Sequence, residues 1–209
     1  MNEQLNVINL EQETVNKNTD LFVNITERIG ELMNKGLANI SLSYQDCAIT
    51  FSPAQEVQQA FAQYSVERVQ SVTDEVIDLT LKLLDNQEQN LLMQAQKDGK
   101  TVFSITQKKI ALVKKHIVND KLQRAYPFYR TTIGNVLDQF VAQRVIKPPT
   151  ENYPSLETVM LKIVTKDNMD QAERKIISFE LYNDQIDEII NILTELKQDT
   201  NLKSNQEPQ

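Results

Sequence analysis

The hydrophobic period of this chain changes from two to 3.6 at Asn183, and that change limits what its C-terminal part can become. Within Pro154–Leu196, two β-prone runs come first, Glu157–Thr165 and Arg174–Leu181. They set Val159, Leu161 and Ile163 on one strand face, and Ile177, Phe179 and Leu181 on one face of the next. The polar stretch Lys166–Glu173, interrupted only by Met169 and Ala172, joins them as a hairpin loop. From Asn183 onward, Ile186, Ile189, Ile190, Leu193 and Leu196 fall on a single helical stripe. Asn183 serves as the N-cap, and Asp184 places an acid where the helix dipole favours it. A hairpin with one helix buries too little apolar area to stand comfortably alone. Met160 and Val164 also make the second face of the first run apolar, so the sheet asks for cover on both sides. The N-terminal helices or a second chain can supply it.

Four glycines and six prolines in 209 residues leave few breakers, which favours long helices in the rest of the chain. Glu3–Val15, with Leu5, Ile8 and Leu10, reads as a short helix or a frayed lead-in, followed by a cap-like Asn18-Thr19-Asp20. A helix over Leu21–Lys35 turns Leu21, Phe22, Ile25, Ile29, Leu32 and Met33 inward and ends at Gly36 in the C′ position. Leu37–Thr50 mixes small, polar and β-branched residues and reads as an irregular connector. Ser52, Pro53 and Gln55 form a capping box that opens a helix burying Val57, Ala60, Phe61 and Tyr64. Ser65 caps the next, with Val66, Val69, Val76, Ile77, Leu81 and Leu84 inward and an end near Leu92. Asp98-Gly99 interrupts the pattern. A last helix runs from about Ser104 to Arg124 around Ile105, Ile110, Val113 and Ile117.

Pro127 disfavours helix at Tyr126 and marks a boundary. Ile133–Val145 fits strand or helix, and Lys147–Pro154 is a turn. The expected fold is therefore α+β: an all-helical domain over 1–125, a small domain of about three antiparallel strands and a C-terminal helix over 126–199, and a disordered tail over 200–209.

Charge and composition narrow the function. A formal net charge of −7 argues against a dedicated nucleic-acid binder. One cysteine, Cys47, permits no intramolecular disulfide and points to a reducing compartment. No apolar run is long enough to span a bilayer, and the polar, acidic N-terminus is unlike a secretory signal. The single histidine, His116, has no partner at a recognisable spacing and reads as a solvated side chain on a charged helix face. Cys47 lacks a spaced histidine and reads as a small buried residue. One Cys and one His cannot make the usual zinc ligand sets. The acidic group Glu67, Asp74, Glu75 and Asp78 has helical spacing and reads as a solvated face, not a Ca²⁺ or Mg²⁺ site. Phosphate-cradling glycine motifs and a nucleophile elbow are missing. No catalytic, cofactor-binding or metal-ligating residue is expected. The one basic concentration, Lys108, Lys109, Lys114, Lys115 and His116 with Lys121 and Arg124, offers an alternative function: a helical adaptor that touches anionic lipid or an acidic partner.

The order of an irregular strand, a Pro-containing turn, the strand VMLKIV, a polar hairpin, the strand KIISFEL and a closing helix resembles the COMM domain. The stretch KIISFELYNDQIDEIINILTELKQ matches it most specifically. LFVNITERIGELMNK, FSPAQEVQQAF and the Val/Leu-rich helix after them are similar in order and spacing to the helical domain of that family, so the resemblance covers about Leu21–Gln198. The family usually carries a tryptophan in its first strand. Here the segment is Ile133-Gly134-Asn135-Val136, and Asn135 occupies that place. The resemblance implies a non-enzymatic scaffold subunit that heterodimerises with other COMM-domain proteins. It further implies assembly into a larger ring with coiled-coil subunits, in the Commander-type complex that recycles endosomal cargo. A cytoplasmic, endosome-associated location follows from it. Val159, Leu161, Ile163, Ile177, Phe179, Ile186, Ile189, Ile190 and Leu193 are the expected interface or adjoining core residues.

Overall fold

The computed structural model describes the backbone of residues 2–169 and 173–204, and the side chains of 17–169 and 173–198. Helices and antiparallel strands mix in the α+β manner, with the helices concentrated N-terminally. The chain divides into two compact units, Met1–Thr132 and Ile133–Gln209.

In the first unit, α1 (Asn2–Asn34) is one continuous helix. It passes through Asn18-Thr19-Asp20 without the expected cap, because Thr19 is buried as an interior helical position. The side chains of Leu5, Ile8 and Leu10 lie outside the described residues. Phe22, Ile25 and Ile29 are wholly enclosed, as the 3.6 period requires. They pack with Val72, Val76 and Leu79 of α3 (Val66–Leu84) and with Ile110 and Val113 of α5 (Lys100–His116). Gly36, at φ +71°, closes α1: its N–H donates to the Met33 carbonyl, and the Leu37 N–H reaches back to Leu32.

Leu37–Thr50 is not an irregular connector. It forms a hairpin of β1 (Ala38–Leu42) and β2 (Cys47–Phe51), whose inward side carries Ala38, Ile40 and Leu42 against Cys47, Ile49 and Phe51. Its turn is held by Ser43 and Asp46, with the Asp46 carboxylate accepting from the Cys47 N–H at 2.8 Å. The capping box at Ser52 does not form either. The Ser52 N–H is taken by the Leu37 carbonyl, and α2 (Gln55–Phe61) begins two residues later with Ala54 as its N-cap. Val57, Ala60, Phe61 and Tyr64 are half-buried.

Two expected long helices are each split. α3 ends at Leu84 because Asn86 adopts φ +58°, a conformation asparagine tolerates, and α4 (Glu88–Asp98) follows. Val66, placed inward by the sequence pattern, is 80% exposed at the first turn of α3. After α5, Asn119 caps a new helix, α6 (Asp120–Thr131), by accepting from the Leu122 N–H at 2.9 Å. Pro127 sits inside α6 and does not end it. Tyr126 is buried there and donates its hydroxyl to Asp85 at 2.7 Å. That anchorage carries the helical unit past Ala125 to Thr132.

In the second unit, Ile133–Val145 is settled as strand. β3 (Asn135–Lys147) pairs antiparallel with β4 (Leu156–Asp167), which pairs antiparallel with β5 (Arg174–Leu181). The chain then enters α7 (Asn183–Ser204). Asn183 is the first helical residue and not the cap: the Gln185 side chain instead accepts from the Tyr182 N–H, back-bonding to the residue before the helix. α7 also runs through 200–204, which the sequence assigns to a disordered tail; 205–209 lie outside the described residues, as do 170–172 of the hairpin loop.

Candidate functional site

The register fixes which side chains share a face of the three-stranded sheet. Directly opposed residues of antiparallel strands point the same way. Val159 faces Leu181, Leu161 faces Phe179, and Ile163 faces Ile177. On the other flank, Ala142 faces Leu161 and Phe140 faces Ile163. The five expected sheet residues, Val159, Leu161, Ile163, Ile177 and Phe179, therefore form one patch with their neighbour Leu181, and β3 adds Phe140, Ala142 and Ile146 to it.

Part of this patch stays open within the chain, on β3 at Phe140, Ala142 and Ile146 and on β5 at Ile177. Phe140 is 58% exposed and Ile177 55%. Leu161, on the central strand between Ala142 and Phe179, and Leu181 are the contrast, both at 8%. Val159, Ile163 and Phe179 are half-buried.

α7 continues the pattern. It does not lie along its own sheet. Ile186 is half-buried near the first turn, whereas Ile189, Ile190 and Leu193 are exposed, Leu193 to 61%. Leu196 and Ile192 extend the uncovered stripe. The nine expected interface residues thus fall on one sheet face and one helix stripe of the second unit: Ile177, Ile189, Ile190 and Leu193 are exposed, Val159, Ile163, Phe179 and Ile186 half-buried, and Leu161 buried.

Phe140 and Ala142 were not legible as site residues, and the reason is a β-bulge. The pairing shifts between Leu137 and Gln139, leaving Asp138 as an extra residue. Leu137 and Phe140, an odd number of positions apart, therefore face the same side, and the period of two is interrupted where the sequence would display it. Asp138 lies 3.6 Å from Arg174.

The opposite face is mixed. Lys147, Lys162, Lys166 and Arg174 stand there among Val141, Met160, Val164 and Ile176. At one end, Glu180 accepts from the buried Thr158 hydroxyl and from Lys147 at 2.7 Å. Those bonds, Lys147 first and Thr158 second, hold the Glu180 carboxyl below the ordinary glutamate range.

The remaining chemical candidates take ordinary positions in the first unit. His116 is not solvated. It is half-buried against Gly30, with its ring Nε2 enclosed and without a hydrogen-bond partner among the described residues. Cys47 is buried, and burial pushes its thiol up to about 11, far from a nucleophile's range. Among the described residues, no group of three or more His, Cys, Asp or Glu is placed to hold a metal ion. The basic stretch is divided by partners: Lys109 binds Glu75 at 2.5 Å while lying over the Phe22 ring, and Lys114 binds Glu88 at 2.6 Å. No described helix is long and apolar enough to cross a membrane.

No family model matches the chain, and comparison with curated proteins finds no match.

Proposed function

We propose that this chain is a non-enzymatic scaffold subunit that pairs through a COMM-type C-terminal unit with another COMM-domain protein. In this reading the pair belongs to a Commander-type complex for endosomal cargo recycling, together with coiled-coil subunits. The observation that carries the proposal is the exposure of Phe140, Ile146 and Ile177 on one sheet face together with the uncovered stripe of α7. Exposed apolar area of this kind, on a sheet face and again on a helix of the same unit, marks an interaction site more often than a solvated surface. The resemblance of KIISFELYNDQIDEIINILTELKQ to the COMM domain supplies the identity of the partner class. Two such units, each with a sheet face and a helix stripe to cover, can satisfy one another reciprocally.

The test is native mass spectrometry of the full chain co-expressed with individual COMM-domain proteins. A stable one-to-one complex with at least one of them is expected. A lone monomer in every pairing overturns the proposal.

A further inference from the structure

Charge stands at two places on the apolar sheet face: at one end Lys175, opposite Thr165 and bound to Glu173 at 3.3 Å, and toward the other end a closer pair across β3 and β4. Arg144 stands on β3 between Ala142 and Ile146 and opposite Val159, while Glu157 stands on β4 opposite Ile146. Guanidinium and carboxylate meet as a fork, Nε with one carboxylate oxygen and Nη2 with the other. That uses two of the five guanidinium N–H donors and leaves three.

In the chain alone water serves the remaining three, since the two side chains are 66% and 49% exposed. A partner seated on this face removes that water. Phe140 and Arg144 are four residues apart on one strand, about 14 Å, and a standard interface covers about 800 Å² of each partner. Cover for Phe140 and Ile177 is therefore cover for the pair. A desolvated ion pair is tolerated only where further hydrogen bonds meet its free donors, and otherwise weakens association relative to apolar residues of the same shape. Such an element discriminates between partners more than it strengthens any of them.

Resting on the pairing surface proposed above, we infer that the Arg144–Glu157 pair is the partner-selecting element of this face. It admits a sheet that presents a carboxylate or amide oxygen opposite Arg144 and rejects one that presents only apolar side chains there. Flanking hydrophobic residues supply adhesion without distinguishing one COMM-type sheet from another.

The experiment measures dissociation constants of the full chain with a set of COMM-domain proteins and with a second copy of itself. Both side chains are exposed, so the variants keep the fold, which circular dichroism and the melting temperature verify. Arg144→Met/Glu157→Met makes the stretch of the face between Ala142 and Ile146 apolar and leaves Lys175 in place. The gap between the best and the next partner then narrows by ~10-fold or more, through tighter binding of the weaker ones. Glu157→Met alone strands the guanidinium and weakens every pairing by ~100-fold or more. An unchanged ranking and spacing of constants in the double variant overturns the inference. Ile177→Asp serves as the control that separates the two ideas. If it still pairs, the sheet face is not the pairing surface and the reading itself fails. If it does not pair while the double variant ranks partners as the wild type does, only the selection by Arg144–Glu157 fails.

Discussion

Replacing Ile177 with aspartate should abolish partner binding while leaving the chain itself folded, and the structure gives both halves of that expectation a size. Full burial of an isoleucine side chain contributes about 1.5–3 kcal/mol. Ile177 is 55% exposed, so the partner's share is roughly half of that, about 1–1.5 kcal/mol. A carboxylate enclosed there without a partner costs about 3–5 kcal/mol more. The sum, about 4–6 kcal/mol, corresponds to binding weakened by a factor of roughly 10³ or greater. Within the chain alone, the aspartate remains in water, and the loss is confined to strand preference, about 1 kcal/mol. Leu161→Asp behaves oppositely. At 8% exposure, its carboxylate enters the unit's own interior between Ala142 and Phe179, so it should unfold the second unit and lose pairing only as a consequence. Native mass spectrometry with a co-expressed COMM-domain protein reads the pairing, and thermal melts of each variant alone read the fold. Wild-type affinity in Ile177→Asp refutes the reasoning. A melting temperature lowered as far as in Leu161→Asp refutes it too, by showing that Ile177 already belongs to a closed core.

Three further outcomes concern the helical unit. Gly30→Ala should lower the melting temperature even though alanine is the better helix former by about 1 kcal/mol. The new methyl would stand 2.8 Å from the His116 Cβ and 3.1 Å from its carbonyl oxygen, an overpacking that costs about 1–3 kcal/mol; a raised melting temperature would show that the α1–α5 crossing can relax. Asn119→Ala removes the acceptor of the Leu122 N–H and should cost about 1 kcal/mol in a denaturant titration, with no change in slope. Stability should also decline in alkali. Burial raises the Cys47 thiol from 9.0 to about 11, and burial with the bond to Asp85 raises the Tyr126 phenol from 10.0 to about 12. Both groups hold their protons more firmly folded than unfolded. Their contribution is complete below pH 9 and is lost as the pH rises through 11 for the thiol and 12 for the phenol. Denaturant midpoints measured from pH 8 to 12 check the sign, and a midpoint that rises over this range contradicts it.

The errors of sequence reading fall where local and tertiary forces compete. Asn18-Thr19-Asp20 has the composition of a cap, but the helix continues because Phe22, Ile25 and Ile29 extend a stripe that the core rewards. Pro127 reads as a terminus, yet the helix continues through it, held by the buried Tyr126 ring and its hydroxyl's bond to Asp85. Ser52 offers a cap, but its backbone is already committed to the Leu37 carbonyl of the preceding hairpin. That hairpin is hard to see in the sequence although Ala38, Ile40, Leu42 and Cys47, Ile49, Phe51 alternate properly, because five-residue strands carry too little pattern to stand out from a loop.

What the sequence determined by itself is whatever depends on period alone: the faces of β4 and β5, the stripe of α7, and the inward side of α1. A period is a local property, written in the spacing of apolar residues. The sequence also limits any site built on imidazole or thiolate, since the chain holds one histidine and one cysteine. Only the tertiary structure decided which of the periodic faces are covered. Ile29 and Leu193 are equally apolar and equally well spaced on their helices, yet Ile29 is sealed by α3 and α5 whereas Leu193 stands open. Burial depends on what another part of the chain brings alongside, and the bulge at Asp138 that turns Phe140 toward Ile163 is likewise a property of pairing between strands, not of either strand alone.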